Sequence, residues 1–113
     1  MKLRILVAED NEMGRLPLRI MLGKLGYECE IVNDGEAAVQ AVKTIGYDIV
    51  FMDVQMPIMD GLAASRKINE EISTEKRPTI IALCGYDVPG MRMDCKNAGM
   101  SCLIFSLTVF SSI

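Results

Sequence analysis

The sequence predicts a doubly wound α/β domain on a parallel five-stranded sheet, and two observations carry that expectation. Apolar runs of strand length alternate with stretches of helical period, the pattern of βαβ units with helices covering the sheet. In addition, Glu9, Asp10 and Asp53 stand just past the ends of two of those runs, the edge outside which open α/β sheets bind ligands. A chain of 113 residues, half of them hydrophobic and 24% charged, fits one folded domain with a sizeable core.

Strands are predicted at residues 3–8, 28–33, 47–52, 79–83 and 102–105. The first helix should run over 12–25, with Met13, Leu16, Ile20 and Leu25 facing inward and Gly26 ending it. It is intrinsically weak. Gly14 and Gly23 each cost about 1 kcal/mol relative to Ala and Pro17 about 3 kcal/mol, so burial must hold it, with a kink expected at Pro17. Asn33-Asp34-Gly35 is a turn signal, and Asp34 is placed to cap a second helix carrying Ala38, Val39, Val42 and Ile45. A third helix follows Asp60-Gly61, with Leu62, Ala63 and Ile68, and ends before Arg77-Pro78. A shorter fourth lies between Pro89 and Ala98, stopped by Gly99.

A net charge of −3 argues against sequence-independent binding to nucleic acid, which depends on neutralising phosphates. The short apolar run after Met1-Lys2 lacks the cleavage region of a secretory signal, and no stretch has the roughly 20 apolar residues that span a bilayer. A cytoplasmic or nuclear location with reduced thiols is expected, away from membranes. Cys29, Cys84, Cys95 and Cys102 lack the spacing of zinc or redox motifs, and with no histidine a zinc site would have to use all four. Buried small side chains are the better expectation for them.

If the first and third strands are parallel in one sheet, the three acids converge. Like charges a few Å apart raise one another's pKa unless a cation intervenes, and an all-oxygen site with few ligands suits Mg²⁺. A metal-assisted phosphoryl site is the first expectation.

Ile5-Leu6-Val7-Ala8-Glu9-Asp10-Asn11 together with Asp53-Val54-Gln55-Met56-Pro57-Ile58-Met59-Asp60-Gly61 resembles the receiver domain of two-component response regulators. Ile80-Ile81-Ala82-Leu83 and Asn97-Ala98-Gly99-Met100 follow in the family's order, and the similarity covers residues 1 to about 100. The resemblance implies the flavodoxin-like receiver fold, with a receiver over residues 1–106. It implies that Asp53 accepts a phosphoryl group from a phosphohistidine, forming an acyl phosphate. Mg²⁺ would be bound directly by Asp10 and Asp53, mostly through water by Glu9, and by the backbone carbonyl of Gln55. With no histidine of its own, the chain needs a histidine kinase or a histidine-containing phosphotransfer protein as donor. The implied role is a stand-alone receiver in a phosphorelay, of the kind found in plant cytokinin relays; at most it would phosphorylate and dephosphorylate itself with Mg²⁺.

Three positions that serve the phosphoryl group in the family differ here. Cys84 stands for Thr or Ser, Gly85 for a small residue that is often Ala, and Ser106 for a Lys. A thiol is a weak donor and a hydroxyl is neutral and short, so transition-state stabilisation should fall by about 3 kcal/mol. Leu103 replaces a reporting aromatic residue and Leu107 a proline. Only seven residues follow Ser106, so the last helix of the fold is expected to be missing. The apolar tail, 107–113, would then lie over the vacated groove or pair two copies of the chain, since large bare apolar patches associate.

Two other functions compete. A degenerate receiver that is never phosphorylated would act as an interaction module competing for phosphotransfer partners. A phosphatase using Asp53 as nucleophile fits less well, because such enzymes place a second Asp two residues later and Gln55 stands there.

Overall fold

A computed structural model describes residues 3–54, 56–84 and 90–104. Five parallel strands form one sheet: β1 (Ile5–Ala8), β2 (Cys29–Val32), β3 (Ile49–Asp53), β4 (Thr79–Cys84) and β5 (Ser101–Ile104), in the order β2-β1-β3-β4-β5. Four helices connect them: α1 (Glu12–Lys24), α2 (Gly35–Thr44), α3 (Gly61–Glu71) and α4 (Met91–Asn97). A 3₁₀ turn at Thr74–Lys76 precedes β4 and was not foreseen. The expected doubly wound parallel sheet is the fold observed. The predicted tail and the absence of a last helix concern residues outside those described.

Alternation along the strands sorts side chains between two cores. Leu6, Ala8, Val50, Met52, Ile80 and Ala82 face one side, where they meet Val39 and Val42 of α2, Ala64 and Ile68 of α3, and Cys95 of α4. Ile5, Val7, Phe51 and Leu83 face the other, against Leu18 and Leu22 of α1. Because strands covered on both faces are apolar throughout, they read as unbroken hydrophobic runs in the sequence. Cys29 packs in the second core and Cys95 in the first, so the sheet separates them and no zinc site gathers all four cysteines.

Caps fall where the sequence placed them. The side chains of Asp34 and Asp60 accept from the N–H groups of Ala37 and Ala63 at 2.7 and 2.8 Å, satisfying donors that the first helical turn leaves unpaired. Gly26 and Gly99, at φ 85° and 83°, end α1 and α4 in the left-handed conformation that costs glycine nothing. At both ends the following N–H returns to the helix, from Tyr27 to Leu22 and from Met100 to Cys95.

One expectation fails. Met13, Leu16, Ile20 and Leu25, assigned to the inner face of α1, are 74%, 51%, 51% and 66% exposed, whereas Leu18 and Leu22 are buried. The helix carries apolar residues on two stripes, so periodicity leaves its phase open, and packing on the sheet buries the stripe of Leu18 and Leu22. The helix is continuous through Pro17, held by the burial of Leu18 and Leu22.

Candidate functional site

Strand order reverses between β1 and β3: the chain leaves β1 toward β2 on one side, and β3 returns to β1's other side. Ala8 pairs with Met52, so the next residues, Glu9 and Asp53, emerge side by side at the carboxyl edge. Asp10 joins them at the start of the loop into α1. One carboxylate oxygen from each of Glu9, Asp10 and Asp53 lies within 4.8 Å of the others, with Glu9 buried, Asp53 half-buried and Asp10 exposed. This is the crevice in which open α/β sheets hold ligands.

The Glu9 carboxyl is strongly perturbed. Burial pushes its carboxyl up to about 8, and the acids Asp53 and Asp10 push the same way, while the hydrogen bond from the Asn11 N–H opposes them. That bond reaches Glu9 Oε1 at 3.0 Å. Asn11 in turn caps α1, its Oδ1 accepting from the Met13 N–H at 2.9 Å. Three carboxylates crowded together form an all-oxygen donor set that suits a hard divalent cation such as Mg²⁺.

Arg15 was not singled out from the sequence. Its Nε donates to the Glu9 carbonyl at 2.8 Å, its Nη2 to the Asp10 carbonyl at 3.5 Å, and Nη2 also to Asn33 Oδ1 at the end of β2. The guanidinium therefore ties the loop bearing two of the acids to the neighbouring β2–α2 turn. An Arg on α1 one turn after an acid pair is the available signal, but only the fold brings Asn33 to it.

The loop after Asp53 is fastened at both ends. The Gly61 N–H donates to the Val54 carbonyl at 2.9 Å, and a Cβ on Gly61 would stand 2.1 Å from the Asp53 carbonyl oxygen, so no other residue fits there. The Gly35 N–H donates to the Met59 carbonyl at 3.0 Å, tying this loop to α2. At its tip Ile58 adopts φ 69° and is 78% exposed, a strained backbone for a β-branched residue.

Of the site residues expected from sequence, Glu9, Asp10 and Asp53 are brought together. Gln55, Gly85 and Ser106 lie outside the described residues, as does the side chain of Cys84, whose backbone closes β4. Among the described residues no helix is long and apolar enough to cross a membrane.

A family model of the response regulator receiver domain matches residues 5–105. Hybrid signal transduction histidine kinase G of Dictyostelium discoideum is 38% identical over 100 residues, which are 87% of this chain and 3% of that protein. The chain thus spans a small fraction of such relatives. Among solved structures, the receiver domain of sensor histidine kinase PA1611 from Pseudomonas aeruginosa, with a magnesium ion coordinated in its active site cleft, is 34% identical with a TM-score of 0.80, covering 92% of this chain and 85% of that one. The receiver domain of the Saccharomyces cerevisiae response regulator Ssk1, co-crystallised with the histidine phosphotransfer protein Ypd1, shares the fold at 23% identity and a TM-score of 0.83, covering 97% and 84% of the two chains. With its five-stranded parallel sheet and acidic switch-point crevice, the chain belongs to the response regulator receiver domain family, the signalling module of two-component phosphorelay systems.

Proposed function

We propose that this module receives a phosphoryl group on Asp53 from a phosphohistidine of a histidine kinase or a histidine-containing phosphotransfer protein. The observation that carries the reading is the convergence of Glu9, Asp10 and Asp53, 43 and 44 residues apart in sequence, at the β1/β3 switch point. An Asp53 carboxylate oxygen attacks phosphorus, the P–N bond breaks, its electron pair stays on the imidazole, and an acyl phosphate remains on Asp53. Phosphoryl transfer demands positioning and charge neutralisation more than covalent assistance. Asp10 and Asp53 would hold Mg²⁺ directly, Glu9 through water, and the Gln55 carbonyl would complete the protein ligands. Bound there, Mg²⁺ supplies the positive charge that offsets the phosphoryl oxygens and relieves the crowding of the acids.

The fastening of the β3–α3 loop through Gly61 and Gly35 supports this role, since it holds Asp53 still while a donor approaches. The exposed stripe of Met13, Leu16 and Ile20 on α1, beside the acidic crevice, supports docking of a helical phosphotransfer partner. The magnesium ion in the PA1611 receiver and the Ypd1 complex of the Ssk1 receiver support the same assignments by likeness. The reading concerns the module alone, since the chain covers only 3% of histidine kinase G.

The test is incubation of the full chain with Mg²⁺ and a small phosphodonor, and separately with a phosphorylated phosphotransfer protein, followed by intact-mass measurement. A phosphoryl mass gain in the wild type, absent in Asp53→Asn, is expected. A second reading, the interaction module, is favoured by Cys84 and Ser106 standing where the family has a hydroxyl and a lysine. Binding to the phosphotransfer protein with no mass gain from either donor would select it.

A further inference from the structure

We propose that Gly14 is a positioning residue for the Glu9 carboxylate: the missing side chain at this point of α1 leaves the space in which that carboxylate lies beside Asp53. A Cβ built on Gly14 would stand 3.0 Å from Glu9 Cδ and 3.2 Å from both Cγ and Oε2. Carbon atoms rest at about 3.5–4.0 Å, so the carboxylate would have to give way. Nothing comparable surrounds Gly23, nine residues further along the same helix, where no atom beyond its chain neighbours and the local helix backbone lies within 4 Å of the added Cβ.

Glu9 has little freedom to absorb such a push unchanged. Its carbonyl is held by Arg15 Nε at 2.8 Å, its Oε1 by the Asn11 N–H at 3.0 Å, and the residue is only 8% exposed. The backbone is anchored at one end and the carboxylate at the other, and Gly14 forms the wall behind the carboxylate. A methyl group there displaces the carboxylate from its place beside Asp53 rather than the backbone. Glycine is a poor residue inside a helix, and its two occurrences in α1 weaken it alike. Only at position 14 does a neighbouring functional group occupy the space saved.

The inference rests on the proposed function, because its readout is Mg²⁺ affinity. Calorimetric titration with Mg²⁺ of the wild type, Gly14→Ala and Gly23→Ala, with the thermal midpoint of each metal-free protein, tests it. Gly14→Ala is expected to bind Mg²⁺ about tenfold more weakly, as for other changes that disturb a metal ligand through its support. Gly23→Ala is expected to keep wild-type affinity, and both variants a midpoint at or above the wild type. In a Glu9→Ala background, Gly14→Ala should change the affinity no further, which holds even where the single variant loses stability. Equal affinity in Gly14→Ala and the wild type, a loss shared by Gly23→Ala, or a loss that persists without the Glu9 side chain overturns the inference and leaves the proposed function standing. A wild type with no Mg²⁺ affinity overturns the proposed metal site itself, and the inference with it.

Discussion

The two edges of the sheet both carry carboxylates, dispersed at one and gathered at the other. At the amino edge Glu30 Oε2 accepts from the Tyr47 hydroxyl at 2.6 Å, and Asp48 Oδ2 from the Arg4 N–H at 2.7 Å. At the carboxyl edge Glu9, Asp10 and Asp53 gather in one crevice, and the Arg15 guanidinium donates to the Glu9 and Asp10 carbonyls and to Asn33. The carboxyl-edge acids share one crevice, and burial first, then the neighbouring acids, raises the Glu9 pKa.

The largest difference between the edges should appear on adding metal. Mg²⁺ at about 100 times its dissociation constant is expected to stabilise the wild type by about 2.7 kcal/mol, since it binds only the folded state. Asp10→Asn should abolish most of that gain, and Glu30→Gln at the amino edge should retain all of it, both read from denaturant melts with and without Mg²⁺. Equal losses in the two variants would erase the distinction.

A smaller effect is expected from pH. The carboxyl of Glu9 titrates near 8 in the folded protein against an ordinary 4.5, so the metal-free folded state holds an extra proton between those values. Stabilisation from this group is therefore fully present below about pH 4.5 and is lost as pH rises through about 8. About 2 kcal/mol is expected across that window after allowance for solvent screening. Glu9→Gln should flatten this part of the profile, and Mg²⁺ affinity of the wild type should rise with pH over the same range, because proton and metal compete for one carboxylate.

At the amino edge, Tyr47→Phe removes the hydroxyl from Glu30 and is expected to cost about 1 kcal/mol. The Tyr47 phenol is pushed up to about 12, by burial first and by Glu30 next, so its absorbance should show no ionisation below about pH 11. Asp48→Asn, which removes the charge from one exposed bond to the Arg4 N–H while leaving an acceptor oxygen, should stay within about 0.5 kcal/mol of the wild type. Neither change should alter phosphoryl uptake.

Particular residues show how much of this was legible beforehand. The strands announced themselves as apolar runs because they are buried on both faces, and Asp34, Asp60, Gly26 and Gly99 marked helix ends by their own local hydrogen bonding and backbone preferences. The acidic triad was legible because strand-end carboxylates in a parallel sheet share one edge. The phase of α1 was misread through Met13, Leu16 and Ile20, since two apolar stripes compete and only the sheet chooses. The Arg15 tie to Asn33 and the wall that Gly14 forms behind Glu9 were invisible, because each depends on a partner delivered by a different loop or by the turn of the helix.

By itself the sequence determined what is local: where strands and helices begin and end, and which residue types carry charge. The tertiary structure alone decided what is relational. It set the face α1 turns to the core, packed the Glu9 carboxylate against a residue without a side chain, and brought three acids together at one edge. Propensity and capping act within a few residues, whereas burial and electrostatics act across distances that only the folded chain makes short.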